Sequence, residues 1–323
     1  MIQLTAKVVA ACAVLMLTGP GVAWASQAPA TQPVESNDAE PSPPRAVVFD
    51  AAATGELDVV RAPSGHLLVH PTVNGQDVGW FIFDTGAGIN CIDKGVAEKL
   101  SLPDGGSITA TGMGGSARTR LRIVESLRLG PLTLQDCPVL ELDLKAFQIF
   151  MGRPIAGIIG YEYFNAAVVE IDFATPRVNV HDPKAFALPA GASWADLTLL
   201  RRRPYVNGSI EGNEPGLFVL DIGSNTPLIV HSPAVTRFKL LEGRETRKTF
   251  SGGVGGMSAS RSGSVTSFEL AGQTVHNVGA TFSESASGAT ASAESQGTIG
   301  VGVLAEFRLI VNYPQKKIAL VRP

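Results

Sequence analysis

The chain has 323 residues, of which 45% are apolar and 17% are charged, and its formal net charge is −3. This length allows two domains, or one large β-rich domain, with ample apolar surface for a core. The nearly balanced charge gives no reason to expect nucleic acid as a partner, and the single basic run, Arg201-Arg202-Arg203, is expected to be a solvated edge.

Residues 1–25 have the pattern of an export signal, in which a lysine precedes an apolar span over Val8–Leu17 and Ala23-Trp24-Ala25 forms an A-x-A cleavage site. A lipoprotein box ending at Cys12 and a retained anchor are the alternatives. The stretch before Cys12 is short, and Gly19-Pro20-Gly21 interrupts the span before the ~18 apolar residues that a crossing needs. We expect a protein exported to the periplasm or secreted, without stable membrane insertion after cleavage.

Residues 26–63 are predicted to be a disordered tether or a pro-segment, because residues 26–46 are rich in proline, serine, alanine and acids and lack a periodic apolar face. Beyond this segment the chain repeats itself once. The first repeat covers residues 64–186 and the second repeat covers residues 199–323, with residues 187–198 interpreted as a linker.

Each repeat contains an apolar strand that ends in an acid. In the first repeat, GWFIFDTGAGINCID places Asp84 before a glycine-rich turn, and Asp93 can cap the helix that follows. In the second repeat, GLFVLDIGSNTPLIV places Asp221 in the same way, and Ser232-Pro233 starts the helix. Each acid therefore stands on a buried strand, directly before a tight turn.

The similarity continues beyond the acids. Both repeats next contain a glycine-rich hairpin, TGMGG in the first and GGVGG in the second, then alternating strands and an apolar pair followed by glycine. Gly157 lies 73 residues after Asp84, and Gly297 lies 76 residues after Asp221. An accidental turn motif would not carry its neighbourhood with it at matched spacing. The two acids are therefore expected to be partners.

Two carboxylates within hydrogen-bonding distance cannot both ionise cheaply, so they share a proton. Such a pair can hold a water, with the ionised member drawing a proton from it while the protonated member polarises a substrate carbonyl. Glycine after each acid suits this chemistry because it lets the backbone turn tightly and aim N–H groups at the carboxylate.

These motifs together resemble the retropepsin and pepsin clan of aspartic peptidases, in a bilobal, bacterial-type form. The resemblance implies an all-β fold of two related pepsin- or retropepsin-like barrel lobes, with an active-site cleft between them. It implies an aspartic endopeptidase with Asp84 and Asp221 as the catalytic pair, no metal or other cofactor, and a peptide or unfolded protein as substrate. Because one chain supplies both acids, a monomer is expected. Apolar cleft walls would favour apolar side chains beside the cut bond.

The resemblance also assigns roles to the loops and hairpins. The active-site loops would include Thr85, Gly86, Ala87, Ile222, Gly223 and Ser224. The hairpins would be flaps that close over substrate, formed by Gly112, Met113, Gly114 and Gly115 in the first repeat and by Gly253, Val254, Gly255 and Gly256 in the second.

Two features depart from the clan's pattern. Ile222 stands where a threonine or serine is usual, so Thr85 can donate towards the second loop but Ile222 cannot return the bond. Losing one such bond typically costs about 0.5–1.5 kcal/mol. The first hairpin lacks the tyrosine familiar from pepsin flaps and is closer to the glycine-rich retropepsin type. The alternative function is a catalytically weak or inactive duplicated peptide-binding protein of the same fold.

The residue after each loop glycine also differs, being Ala87 in one loop and Ser224 in the other. A serine hydroxyl bonded to the outer carboxylate oxygen would favour the charged form of its acid. The hypothesis from sequence is that Asp221 holds the negative charge more often and that Asp84 holds the shared proton.

Cysteine and histidine offer no second chemistry. Cys91 and Cys137 are either two buried free thiols or a disulfide, because sequence does not supply the required Cβ geometry. The histidines lack the paired spacing of metal ligands and are interpreted as surface or satisfied polar residues. These are His66, His70, His181, His231 and His276.

Overall fold

The computed structural model describes residues 8–9, 15–17, 40–112, 115–253 and 256–322, and in the first two of these segments only the backbone. The architecture is predominantly β, as the resemblance implied. Within those ranges, every helix falls short of the length and apolar character that a membrane crossing requires.

The elements alternate many strands with a few short helices. The strands up to residue 186 are β1 (Val8–Val9), β2 (Leu15–Leu17), β3 (Ala46–Phe49), β4 (Val59–Arg61), β5 (Leu67–Val69), β6 (Thr72–Val73), β7 (Gln76–Asp77), β8 (Trp80–Phe83), β9 (Cys91–Asp93), β10 (Asp104–Gly112), β11 (Gly115–Leu129), β12 (Leu132–Leu142), β13 (Ile155–Ile159), β14 (Val168–Asp172) and β15 (Arg177–His181). The later strands are β16 (Ala195–Asp196), β17 (Thr198–Leu200), β18 (Arg203–Ile210), β19 (Gly216–Leu220), β20 (Leu228–Val230), β21 (Arg247–Gly253), β22 (Gly256–Leu270), β23 (Gln273–Ser283), β24 (Gly297–Ile299), β25 (Arg308–Asn312) and β26 (Lys317–Val321). The helices are α1 (Lys94–Lys99), α2 (Gln148–Met151), α3 (Tyr161–Phe164), α4 (Ser232–Arg237) and α5 (Val301–Leu304), with 3₁₀ turns at Lys145–Phe147 and Ala289–Ala291.

The described strands form three sheets. One has the order β1-β10-β11-β12-β9-β13-β8-β5-β4, with β3 added to β12, β6 to β11 and β7 to β6. A second has the order β17-β18-β19-β24-β20-β23-β22-β21-β2, and β18 also pairs with β22. The third, β15-β14-β25-β26-β16, is shared, because β14 of the first repeat pairs antiparallel with β25 of the second.

The two repeats have the same local topology around the acid-bearing strand. In the first, β8 runs parallel to β13, which is antiparallel to β9, and β9 is parallel to β12. In the second, β19, β24, β20 and β23 follow the same pattern. The repeat predicted from sequence therefore recurs as structure.

The apolar runs before the acids lie on interior strands of their sheets. Residues 81–83 of β8 and 218–220 of β19 are buried on both faces, which explains why these strands are continuously apolar and do not alternate. A core cluster draws side chains from both repeats, including Phe83, Phe164, Ile222 and Tyr313. The two halves of the chain thus share a continuous apolar interior.

Two segments differ from the sequence-based expectation. Residues 26–63 were predicted to be a disordered tether or a pro-segment. From Ala46 onwards the structure is ordered, because β3 pairs with β12 and β4 pairs with β5, and a pro-segment stays a prediction. The linker predicted at residues 187–198 contains β16, which pairs with β26. β3, β4 and β16 are short and only partly buried, so they show no apolar periodicity from which a strand could be predicted. Backbone hydrogen bonds to neighbouring strands hold them in place.

The predicted signal at residues 1–25 and residues 26–39 of the tether lie almost wholly outside the described residues. The exceptions are β1, which pairs in parallel with β10, and β2, which pairs antiparallel with β21. Both therefore lie along the outer edges of the two hairpins.

Candidate active site

Each acid occupies the first position after its strand and is fixed there by the backbone. The N–H of Asp84 donates to the carbonyl of Ile159 (3.0 Å), and the N–H of Asp221 donates to the carbonyl of Ile299 (2.9 Å). Both acceptors are the last residues of β13 and β24. Ile159 and Ile299 therefore anchor the turns that carry the two acids.

The two acids meet. The side chains of Asp84 and Asp221 are hydrogen-bonded to each other and are 0% and 1% exposed. Each loop glycine lies directly against the acid of the opposite loop. A Cβ added to Gly86 would come 2.5 Å from Cγ of Asp221, and one added to Gly223 would come 2.3 Å from Cγ of Asp84. Glycine at both positions is what allows the carboxyl groups to approach.

The backbone favours the charged form of Asp84 over that of Asp221. Oδ1 of Asp84 accepts the N–H groups of Gly86 (2.7 Å) and Ala87 (3.2 Å), whereas Oδ1 of Asp221 accepts that of Gly223 (2.9 Å). Hydrogen bonds to a carboxylate stabilise its ionised state. The extra N–H bond therefore supports Asp84 as the acid that carries the charge.

The serine expected to stabilise a charged Asp221 does not do so. The buried Oγ of Ser224 makes no hydrogen bond within the described part of the chain. Burial raises the pKa of Asp221 to about 6, against the opposing effects of the bond from Asp84 and the positive charge of Arg203. The serine contact on which the hypothesis from sequence rested is therefore missing, and which of the two acids holds the shared proton stays a prediction.

Thr85 connects the two loops as expected. Its Oγ1 donates to the carbonyl of Leu220 (2.8 Å) and accepts the N–H of Ile222 (3.0 Å). Ile222 is fully buried in the apolar core, where its side chain can only pack. Of these two residues, Thr85 supplies a side-chain hydroxyl to the junction between the loops and Ile222 does not.

Thr85→Val is expected to destabilise the protein by about 2–6 kcal/mol. Valine keeps the shape of the side chain but leaves the buried Leu220 carbonyl and Ile222 N–H without partners, at about 1–3 kcal/mol each. Urea unfolding of the two proteins measures the difference. Thr111→Val, which removes an exposed hydroxyl from hairpin β10–β11, is the matched control and should change the unfolding free energy by less than about 0.5 kcal/mol. Equal effects of the two substitutions would contradict this role of Thr85.

Two residues not singled out from sequence also hold the loops. The hydroxyl of Tyr313 donates to the carbonyl of Thr85 (3.1 Å). Nε2 of His66 lies 3.0 Å from the carbonyl of Gly223, and its Nδ1 lies 2.8 Å from Oγ of Ser64. Because a carbonyl only accepts, Nε2 carries the proton and Nδ1 accepts from the serine. Both contacts join one repeat to the acid-bearing loop of the other.

His66 is satisfied but not at the surface. It is fully buried, and burial lowers its pKa to about 4, so the ring is neutral near pH 7. His231 is likewise buried, and burial lowers its pKa to about 3. One signal could have identified His66. It precedes Asp84 by 18 residues, and Arg203 precedes Asp221 by 18, so the two occupy matching positions in the repeats.

The run Arg201-Arg202-Arg203 was expected to be a solvated edge, but this holds for Arg201 and is wrong for Arg202 and Arg203. Arg201 is exposed and pairs with Glu294 at 2.7 Å. Arg202 and Arg203 are largely buried, and Arg202 forms an ion pair with Glu162 of the first repeat. Three consecutive arginines in the sequence do not show which of them will be exposed and which will be covered by the opposite repeat.

The hairpins expected to act as flaps are present up to their tips. Gly112 pairs with Gly115, and Gly253 pairs with Gly256, as the last residue pairs of the ladders β10–β11 and β21–β22. The remaining predicted flap residues, Met113, Gly114, Val254 and Gly255, lie outside the described residues.

The disulfide alternative is wrong, because Cys91 and Cys137 are both buried free thiols. Nδ2 of Asn90 lies 3.7 Å from Sγ of Cys137, and burial raises the pKa of that thiol well above its ordinary value. Across the described ranges, no three His, Cys, Asp or Glu side chains are grouped closely enough to hold a metal ion.

Comparison with known proteins identifies one family. Residues 69–163 match the family model described as aspartyl protease, a segment that includes Asp84 and its loop. A search of curated proteins found no match. The match supports a protease-type hydrolase in general.

Proposed function

We propose that this protein is an aspartic endopeptidase that hydrolyses peptide bonds with a water activated between Asp84 and Asp221. The observation that carries the proposal is the pair of buried carboxyl groups, hydrogen-bonded to each other across the two repeats. The two acids are equally buried, but two backbone N–H groups bond to Asp84 and one bonds to Asp221, a difference that suits a base and an acid acting together.

The proposed reaction uses the two acids in turn. Asp84 takes a proton from the water as its oxygen attacks the peptide carbonyl carbon, and Asp221 donates its proton to the carbonyl oxygen. The tetrahedral species then collapses as the C–N bond breaks and the leaving nitrogen receives the proton held by Asp84. The hydroxyl proton of the species returns to Asp221, which restores the starting state. Each proton transfer of this kind typically contributes about 10²–10⁴ in rate.

The finer architecture is part of the same proposal. Each repeat would form a lobe with the cleft between them, and hairpins β10–β11 and β21–β22 would close over an extended peptide. The monomer, the peptide or unfolded-protein substrate and the exported location, periplasmic or secreted, remain proposals. Their support is the presence of both acids on one chain and the export pattern of residues 1–25.

Cleavage of a reduced, unfolded protein near pH 5 tests this function. A statine-type transition-state mimic should abolish cleavage, because its hydroxyl takes the place of the attacked carbonyl between the acids. A metal chelator, a serine-acylating reagent and a thiol alkylating reagent should leave the rate unchanged. Cleavage that resists the statine but yields to one of the other reagents would reject the proposal.

The value of kcat/KM should fall as the pH rises above about 6. Asp221 must hold the proton that it donates, and burial raises its pKa to about 6. Above that pH the protonated fraction of the pair drops about tenfold per unit, and the rate should follow. Initial rates on one peptide from pH 4 to pH 8 measure the profile. A rate that rises steadily through this range would contradict the assigned acid.

One observation favours the second candidate, a peptide-binding protein of the same fold that does not cut. Ile222 cannot return the bond that Thr85 makes, so one side of the loop junction lacks a hydroxyl. Such a binder would hold peptide equally well with Asp84 or with asparagine in its place. An enzyme would instead lose cleavage on that change.

A further inference from the structure

Arg203 is a buried cation without a counter-ion in contact with it. Arg203 is 5% exposed, and its Nε is buried without a hydrogen-bond partner. Across the part of the chain that the structure describes, no carboxylate pairs with it, whereas Arg202 pairs with Glu162. Buried charges are almost always paired, because desolvation of an unpaired ion is costly. A buried arginine without a paired carboxylate therefore indicates a site that can bind an anion.

The groups around Arg203 do not supply that anion. Its guanidinium carbon lies 5.5 Å from the ring centroid of Tyr205. Its charge reaches Asp221 and His231, lowering the pKa of both, but His231 is neutral near pH 7. The acid pair carries one negative charge when it shares one proton, so it offsets the charge of Arg203 through space without bonding to its Nε. Arg203 therefore stands beside the candidate active site with its buried Nε available to bind an anionic group.

Arg203 also lines a cavity of about 220 Å³. One wall comes from hairpin β10–β11, through Thr111 and Ser116, and the other from the start of β18 and residues 288–295. The remaining charged residues on the wall, Arg201 and Glu294, neutralise each other in an ion pair. The volume is below the roughly 300–1,000 Å³ of sites for drug-sized molecules and suits a single side chain or chain end.

We propose that this cavity is a substrate subsite in which Arg203 binds a carboxylate of the peptide, an inference that rests on the proposed peptidase function. A guanidinium presents two N–H donors in a fork that matches a carboxylate, and the bond is strengthened in a site shielded from water. The carboxylate belongs either to an Asp or Glu side chain or to a free C-terminus. This differs from the apolar preference expected from sequence, because the wall here is polar and charged.

The test uses peptide pairs that differ in one group. A peptide cleaved by the protein is made with Glu or Gln at each position flanking the cut, and each version carries a free or an amidated C-terminus. At about pH 5.5 a glutamate is largely ionised. The wild-type protein should cleave the Glu version at one position, or the free-carboxylate version, with kcat/KM at least about tenfold higher. Ratios near one for every pair would overturn the proposal.

Variants assign the preference to the arginine. Arg203→Gln should bring the ratio of kcat/KM for the charged and neutral peptides to about one, and Arg203→Lys should keep part of it. Arg177→Gln removes an exposed arginine that pairs with Glu56 away from the cavity, and it should leave both the ratio and the rate unchanged. An unchanged ratio in Arg203→Gln would also overturn the proposal.

A binding measurement separates this inference from the function on which it rests. Fluorescence polarisation of the same labelled peptides is measured with Asp84→Asn, which should bind without cutting. If the wild-type protein cleaves nothing, the peptidase proposal fails. A tenfold difference in Kd between charged and neutral peptides that disappears with Arg203→Gln would still support the carboxylate site, and equal Kd values would reject it.

Discussion

Asp221→Asn is expected to reduce peptide cleavage by about 10²–10⁴-fold while making the folded protein more stable at pH 7. Activity is lost because an amide cannot donate the proton that the carbonyl oxygen needs. The hydrogen bond to Asp84 can be kept, since an amide N–H donates to a carboxylate. The fold should therefore remain intact.

The gain in stability follows from the raised pKa of Asp221. Its folded value is about 6, against about 3.9 in an unfolded chain. Between these values the folded state binds more protons than the unfolded state, so the free energy of unfolding falls as pH rises from about 4 to about 6. At pH 7 the wild-type protein has lost up to about 3 kcal/mol, which asparagine would restore. Below pH 4 the two proteins should be nearly equal.

Asp84→Asn is the matched control for this prediction. It should abolish cleavage too, because the base is removed. It should raise the free energy of unfolding at pH 7 by less than Asp221→Asn does, because Asp84 is the acid that accepts the N–H groups of Gly86 and Ala87. Thermal melts and cleavage assays of both variants at pH 4 and pH 7 decide the matter. A larger gain in Asp84→Asn than in Asp221→Asn would place the proton on the other acid.

Arg202→Met is expected to lower the free energy of unfolding by about 3–5 kcal/mol. Arg202 forms an ion pair with Glu162, whose side chain is 1% exposed and accepts the N–H of Asn90 at 2.7 Å. The guanidinium also donates to the carbonyl of Pro41 and lies over the ring of Tyr161. Removing one member of a buried pair leaves the other charge without compensation, which costs more than the pair itself contributes.

The loss should depend on pH in a defined direction. Burial already raises the pKa of Glu162, and Arg202 opposes that rise. Without the arginine the folded pKa rises further, so the variant loses stability as pH increases above the unfolded value of about 4.3. Urea unfolding should show a larger deficit at pH 8 than at pH 5. Adding Glu162→Gln to the variant should recover part of the deficit at pH 8.

Arg201→Met provides the comparison for this second prediction. It breaks an ion pair whose side chains are 43% and 44% exposed, and such pairs typically contribute 0–1 kcal/mol. The two substitutions are adjacent in sequence and remove the same charge. Similar losses from both would mean that Arg202 and Glu162 do not form the buried link between the repeats.

Much of the site can be read from the sequence because its signals are local. The apolar runs that lead to Asp84 and Asp221 reflect strands buried on both faces, and the glycines after the acids reflect turns that only glycine allows at so close an approach. The matched order of strands, hairpin and closing glycine identified the repeat. Those features depend on neighbours a few residues apart.

The remaining features depend on packing between residues far apart in the chain, and sequence periodicity carries no record of them. The Ser224 hydroxyl makes no hydrogen bond to the acid it was expected to bond, and His66 and Tyr313 reach the loops from distant elements. Arg202 and Arg203 look alike in sequence, yet one meets a buried glutamate and the other faces a cavity. Burial raises the pKa of Asp221, and desolvation is a property of the assembled fold.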